Sequence, residues 1–168
     1  MMSLLTSAAE LTAPWTNVYD DSPWLQTAIL FLHLAGVLVG GGFALVADQA
    51  TIRAARAISW TRRRRQLALL RRTHAPVLLG LGLAVVSGVL LLAADVERYG
   101  ASPAFWVKMA LVALLLMNGA VLGQCERSLR ALGEDAAHGW NPLRAAAMRS
   151  MSLWMAVLLA GTYLLTGN

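Results

Sequence analysis

Cysteine is almost absent from this chain of 168 residues, where Cys125 stands alone. One thiol forms no internal disulfide and no cysteine-cluster metal site, which excludes disulfide scaffolds and zinc modules. Charge is also scarce: Asp, Glu, Lys and Arg make up 14% of the chain, against about 25% in a soluble globular domain. Glycine and proline are near background at 14 and 5 residues and no run repeats, so collagen-like and low-complexity classes drop out. There is no phosphate-cradling loop, no nucleophile paired with a base and no paired-carboxylate motif. The excess lies in apolar residues, at 58%. They gather into four long blocks separated by charged segments, the pattern of a polytopic membrane protein.

A helix needs about 20 mainly apolar residues to cross roughly 30 Å of hydrocarbon, because its backbone must satisfy its own hydrogen bonds there. Four segments qualify: Trp24 to Ala47, His74 to Ala94, Ala104 to Gln124 and Met148 to Leu165. The expectation is an all-α, four-span, up-and-down bundle forming one membrane domain over residues 1–168, with loops at 48–73 and 125–147. Residues 1–23 lack the basic start and continuous apolar core of a signal peptide, and read as a retained outer tail. Trp15 and Tyr19 in it, and Trp24 just after it, suit the headgroup region.

Short loops rich in Arg and Lys stay in the cytoplasm. Twelve of the 14 basic residues fall in the segments after the first and third spans, leaving only Arg98 and Lys108 elsewhere. The tail and the 95–103 loop carry Glu10, Asp20, Asp21, Asp95 and Glu97. Both termini are therefore expected outside. The run Arg62, Arg63, Arg64, Arg65 reads as a contact with anionic lipids of the cytoplasmic leaflet, worth about 1 kcal/mol per residue, rather than as a nucleic-acid patch. Residues 59–72 are expected as a short helix on the membrane surface.

An ionisable residue inside a span is expensive and marks a functional site by default. His33 lies nine residues into the first span, about 13 Å below its outer boundary. Gly36, Gly40, Ala44 and Ala47 follow it at helical spacing. That stripe is either a packing seam of small residues or room for a flat cofactor beside the imidazole. Imidazole is the commonest metal ligand and a haem axial ligand. The second span has a similar stripe through Gly80, Ala84, Ser87 and Gly88, so the two helices are expected to meet. His74 begins the second span at the basic boundary and is too far from His33 in depth, by about 20 Å, to share one iron. Met109 and Met117 are candidate second ligands near His33. Lys108 either snorkels to the headgroups or turns inward to pair with a haem propionate or Asp95. Asp48 and Gln49 read as the polar inner end of the first span, near Arg53.

The stretch FLHLAGVLVGGG around His33 resembles the His-led, glycine-ended first helix of several bacterial four-helix membrane families. The stretch RRTHAPVLLGLGLAVVSGVLLLAADVERYGASPAFWVKMALVALLLMNGAVLGQ resembles the copper resistance protein D domain. Ser87, Gly88 and Val89 match its small-Gly-Val motif, and Lys108 matches its helix-opening lysine. Similar patterns occur in four-helix haem-b membrane cytochromes and in the membrane-bound bacterial protoporphyrinogen oxidase. The resemblance implies a bacterial inner membrane protein that handles copper, or haem and electrons. Three functions follow as expectations. One is a small haem-b-binding subunit in electron transfer or quinone-linked redox, with His33 as axial ligand, Gly36, Gly40 and Gly88 making room, Lys108 near a propionate, and His74 serving any second haem. Another is copper transport or resistance through His33, Met109 and Met117. The third is a structural subunit without a cofactor, docked to other membrane subunits or to its own copies.

Overall fold

Lipid offers the backbone no hydrogen-bond partner, so apolar blocks of this length fold as helices before any packing is considered. The computed structural model describes residues 2–57, 60–132 and 137–166. Among the described residues the elements are all helices: α1 (Met2–Asp20), α2 (Pro23–Ala55), α3 (Trp60–Ala94), α4 (Val96–Ala101), α5 (Pro103–Leu132) and α6 (Ala137–Thr166). Four of them, α2, α3, α5 and α6, are long and apolar enough to cross a membrane, which makes the chain a multi-pass membrane protein. Local signals set their starts. Ser22 caps α2 by accepting the Leu25 N–H, with Pro23 in the first turn where its missing donor costs nothing. Asp95 caps α4 through the Arg98 N–H at 3.2 Å.

The helix ends distant from the basic segments match the expected spans closely. The basic ends do not. With 33 residues α2 is about 50 Å long, well beyond the hydrocarbon thickness. Most of 48–73 and 125–147, expected as loops, continues the spanning helices. Residues 60–72 are the first turns of α3, not a separate surface helix. The reason is a second apolar core at this end. Ala47, Ala54, Leu67, Leu70, Leu129, Trp140 and Leu143 bury one another, so the helices stay together past the membrane. Arg63 of the basic run turns into this region and lays its guanidinium 5.5 Å from the Trp140 ring centroid. Arg62 and Arg65 remain exposed.

The tail expected at the headgroups is also ordered. As α1 it packs against α3 and α4. The indole N–H of Trp15 donates to the Leu90 carbonyl at 3.0 Å, and the Thr16 hydroxyl to the Ala93 carbonyl at 3.4 Å. The last carbonyls of a helix have no partner within it, so α1 completes the end of α3.

The bundle's neighbours are α3 against α2, α2 against α6, and α6 against α5. Among the described residues α3 and α5 make almost no direct contact, so the ring of four is open along one side. The tightest contact is between α2 and α3. A Cβ added to Gly80 would stand 2.3 Å from the Gly40 nitrogen, and one added to Gly36 would stand 2.7 Å from the Ala84 nitrogen. The stripe after His33 is thus a backbone-to-backbone seam of the small-xxx-small kind. It leaves no space for a cofactor at Gly36 or Gly40, which corrects their assignment to a cofactor site. The substitution Gly80→Ala forces these backbones apart and should destabilise by about 1–3 kcal/mol, the cost of overpacking. At Gly82 an added Cβ meets nothing within 4 Å, so Gly82→Ala should leave stability unchanged or raised. Heating both variants in detergent and measuring the surviving monodisperse fraction by size-exclusion chromatography checks the contrast; equal losses would argue against the seam.

Candidate functional site

His33 projects from α2 toward α3 one turn before the glycine seam, and the seam brings the Ala84 carbonyl within its reach. Its Nδ1 lies 3.0 Å from the Ala84 oxygen and 3.2 Å from the Ser87 hydroxyl oxygen. A carbonyl only accepts, so Nδ1 carries the proton and Nε2 keeps its lone pair. The Ser87 hydroxyl donates to Leu83 at 2.6 Å and is held by its own helix. Gly88 matters here in the expected way. A Cβ at that position would lie 3.2 Å from the imidazole Cε1, so the missing side chain is what lets the ring lie against α3.

The imidazole lines a cavity of about 310 Å³ shared by all four spanning helices. Lys108 of α5 enters it as well, with Nζ 3.8 Å from where a Cβ on Gly161 of α6 would stand. The lysine therefore turns inward rather than out to the headgroups. Leu34, Leu91 and Leu158 supply apolar wall, and Tyr19 of α1 and Tyr99 of α4 close the end. Burial, with Tyr99 and Asp20 nearby, pushes the Tyr19 hydroxyl above its ordinary value, so it stays a neutral donor at the cavity's edge. Met109 and Met117 are not part of this cavity. They are 42% and 57% exposed and lie on the outside of the bundle, so the structure does not bring them to His33. Among the described residues no group of three His, Cys, Asp or Glu side chains is placed to hold a metal ion.

His74 belongs to the other end. Its Nε2 is 3.6 Å from the Glu126 carboxylate of α5 and the side chain is exposed, surroundings that do not support the expected role as a second haem ligand. Glu126 also accepts from Arg130 at 2.6 Å, and Arg130 donates onward to the Leu67 carbonyl of α3. These contacts tie α3 to α5 at the basic end, beside the apolar cluster that Leu67 and Leu70 share with Leu129. Above them lies a second cavity, of about 330 Å³, lined by Asp48, Thr73, His74, Ser150 and Trp154 among apolar side chains. Asp48 is the residue that sequence reasoning placed wrongly: it is 3% exposed and faces this cavity, while Gln49 beside it is exposed. Its register was readable. Gly41, Ala44, Asp48 and Thr51 recur at helical spacing on the inward face of α2, whereas Gln49 falls off that face.

Compared with known proteins, the chain matches no family model, no curated protein and no solved structure. The geometry of these cavities is therefore what a functional reading has to stand on.

Glu126 is nearly buried, so the variant Glu126→Ala strands Arg130 and frees His74 together. The expected cost is about 1–2 kcal/mol, for charge-assisted hydrogen bonds that are partly open to solvent. A lower unfolding midpoint in detergent checks it, and an unchanged midpoint would remove Glu126 from the α3–α5 tie.

Proposed function

We propose that the chain is a small redox subunit of a bacterial inner membrane that holds haem b in the His33 cavity. The observation that carries the reading is the imidazole itself. Its Nδ1–H is committed to the Ala84 carbonyl, and its Nε2 is left facing a cavity inside a membrane bundle. Metal-ligating histidines are oriented by this kind of backbone hydrogen bond, which fixes the tautomer and raises the basicity of the other nitrogen.

The donor set suits the group. His33 would ligate the iron through Nε2, Lys108 would provide a cation for a propionate, and the leucines would supply a dry wall of the kind that tunes a haem's potential. Gly88 holds the space against α3, in place of the wider glycine set expected from sequence. At about 310 Å³ the cavity would enclose part of a macrocycle. When bound, haem provides a one-electron centre; the chain's own residues orient the ligating ring and balance the propionate charge. The basic ends of the helices, with Arg62 and Arg65 exposed, support a cytoplasmic orientation of that end and contact with anionic lipid.

A second reading has its own observation. A volume near 310 Å³ suits a single quinone ring: Lys108 would donate to a carbonyl of the oxidised form, and the His33 Nε2 would accept from a hydroxyl of the reduced form. The copper reading has less to stand on, because the methionines that would join His33 lie on the outside.

Reduced-minus-oxidised visible spectra, with organic extraction for quinone, of protein purified from a haem-sufficient host test both readings. A stoichiometric b-type signal is expected in the wild type and lost in His33→Ala while the variant still inserts. Gly88→Val, which presses on the ring, should weaken it. Retention of the full signal in His33→Ala would overturn the ligand assignment. A colourless, quinone-free protein that migrates with other subunits would assign a structural role instead.

A further inference from the structure

We infer that the cavity at the basic end is a binding site for a lipophilic organic cation, an amine or quaternary ammonium group with an apolar body, whose counter-charge is Asp48. The inference is independent of the haem reading. Asp48 lies fifteen residues beyond His33 on the same helix, about 22 Å deeper.

Asp48 is almost wholly enclosed, and its Oδ2 has no hydrogen-bond partner among the described residues. The Ser150 hydroxyl of α6 is in hydrogen-bonding reach of the carboxyl. A buried carboxylate with nothing opposite it is costly, and such groups persist where something compensates them. Among the described residues no Lys or Arg lines the cavity, and the one titratable neighbour in its wall, His74, has Nε2 3.6 Å from Glu126. Either a proton or a cation from outside the chain then balances Asp48, and the shape and lining of the cavity favour the cation.

The rest of the wall decides its chemistry. A bare metal ion needs six or more oxygens, or a tight set of His, Cys and carboxylate donors. Here the side-chain oxygens are those of Asp48, Ser150 and Thr73, and the Thr73 hydroxyl is spent on the Leu70 carbonyl at 2.9 Å. Leu70, Leu81, Leu115 and Leu122 are among the apolar residues of the remaining wall, and the Trp154 indole adds an aromatic ring. That surface rewards a cation carrying its own hydrocarbon, through apolar burial and ring attraction together. The volume of about 330 Å³ is at the small end of the range for small-molecule sites. Access is from the bilayer, since Leu78 of α3 and Leu116 of α5 line the cavity and are exposed where these two helices stand apart.

The test is equilibrium dialysis of benzyltrimethylammonium against the full-length protein in detergent. Saturable binding of one cation per chain is expected. Asp48→Asn keeps the shape, removes the charge, and should weaken binding by more than about tenfold. Gly119→Leu gives a second route should the Asn variant fold poorly. An added Cβ at Gly119 meets nothing within 4 Å, so the leucine is tolerated and its side chain fills the cavity, which should abolish binding. The variant His33→Ala should bind the cation as the wild type does, which separates this site from the haem cavity. Absence of saturable binding in the wild type, or wild-type affinity in Asp48→Asn or Gly119→Leu, would overturn the proposal.

Discussion

The approach of α2 to α3, backbone against backbone, is the constraint on which the other features depend. Gly36 and Gly40 face Gly80 and Ala84 with no room for a Cβ at the closest points. Between membrane helices there is little hydrophobic driving force, since lipid tails are as apolar as leucine, so close packing has to supply the attraction. The same contact sets the chemistry. Only because α3 lies this close does the Ala84 carbonyl reach the imidazole of His33, fix its tautomer and turn Nε2 away from the seam. A looser pair of helices would leave the histidine free to choose either tautomer and another direction.

A close α2–α3 pair also explains the open side. α6 packs on α2 and α5 on α6, and the chain of contacts ends there. Polar ties reinforce the packed pairs at particular heights. Asn118 of α5 donates to the Ala146 carbonyl of α6 at 2.9 Å, and Gln66 of α3 to the Ala47 carbonyl and Thr51 hydroxyl of α2. Such bonds are worth about 0.6–2 kcal/mol each in a bilayer, enough to fix register but not to close a bundle. The two cavities lie in the space left over.

Much of the fold was legible because its causes are local. Lipid forces long apolar runs into helices, and the ends away from the arginines fell within a residue or two of their expected places. The meeting of the two small-residue stripes was legible for the same reason, since Gly80 and Gly36 leave a mark at fixed spacing. The basic ends misled because charge was taken to end a helix. Arginines on one face of α3 do not stop Leu67 and Leu70 on the other from burying against Leu129 and Trp140. The site was legible only in part. His33 stood out by being ionisable and deep, yet which stripe residues give it room depended on the seam: Gly36 and Gly40 meet backbone, and Gly88 meets the ring. Lys108 has a stem long enough for either direction, so sequence left it open. Asp48 was hidden by its neighbours, because a polar pair followed by Arg53 reads as an interface until the helical phase is followed inward.

The open side constrains how either cavity can be filled. At one end α3 and α5 are joined through α4 and covered by α1, whose Trp15 and Thr16 bond the last turns of α3. At the other end Arg130 and Glu126 of α5 hold Leu67 and His74 of α3. A solute in water meets a tied end in both directions. A molecule dissolved in the bilayer meets the gap between the ties, where exposed leucines cost it no desolvation. Ligands that enter here are therefore selected twice: by solubility in lipid, and then by what a half-buried imidazole with Lys108, or a buried carboxylate with Ser150, can satisfy. A flat redox cofactor and an apolar cation both meet the first condition, and the two ends of one seam then sort them by charge.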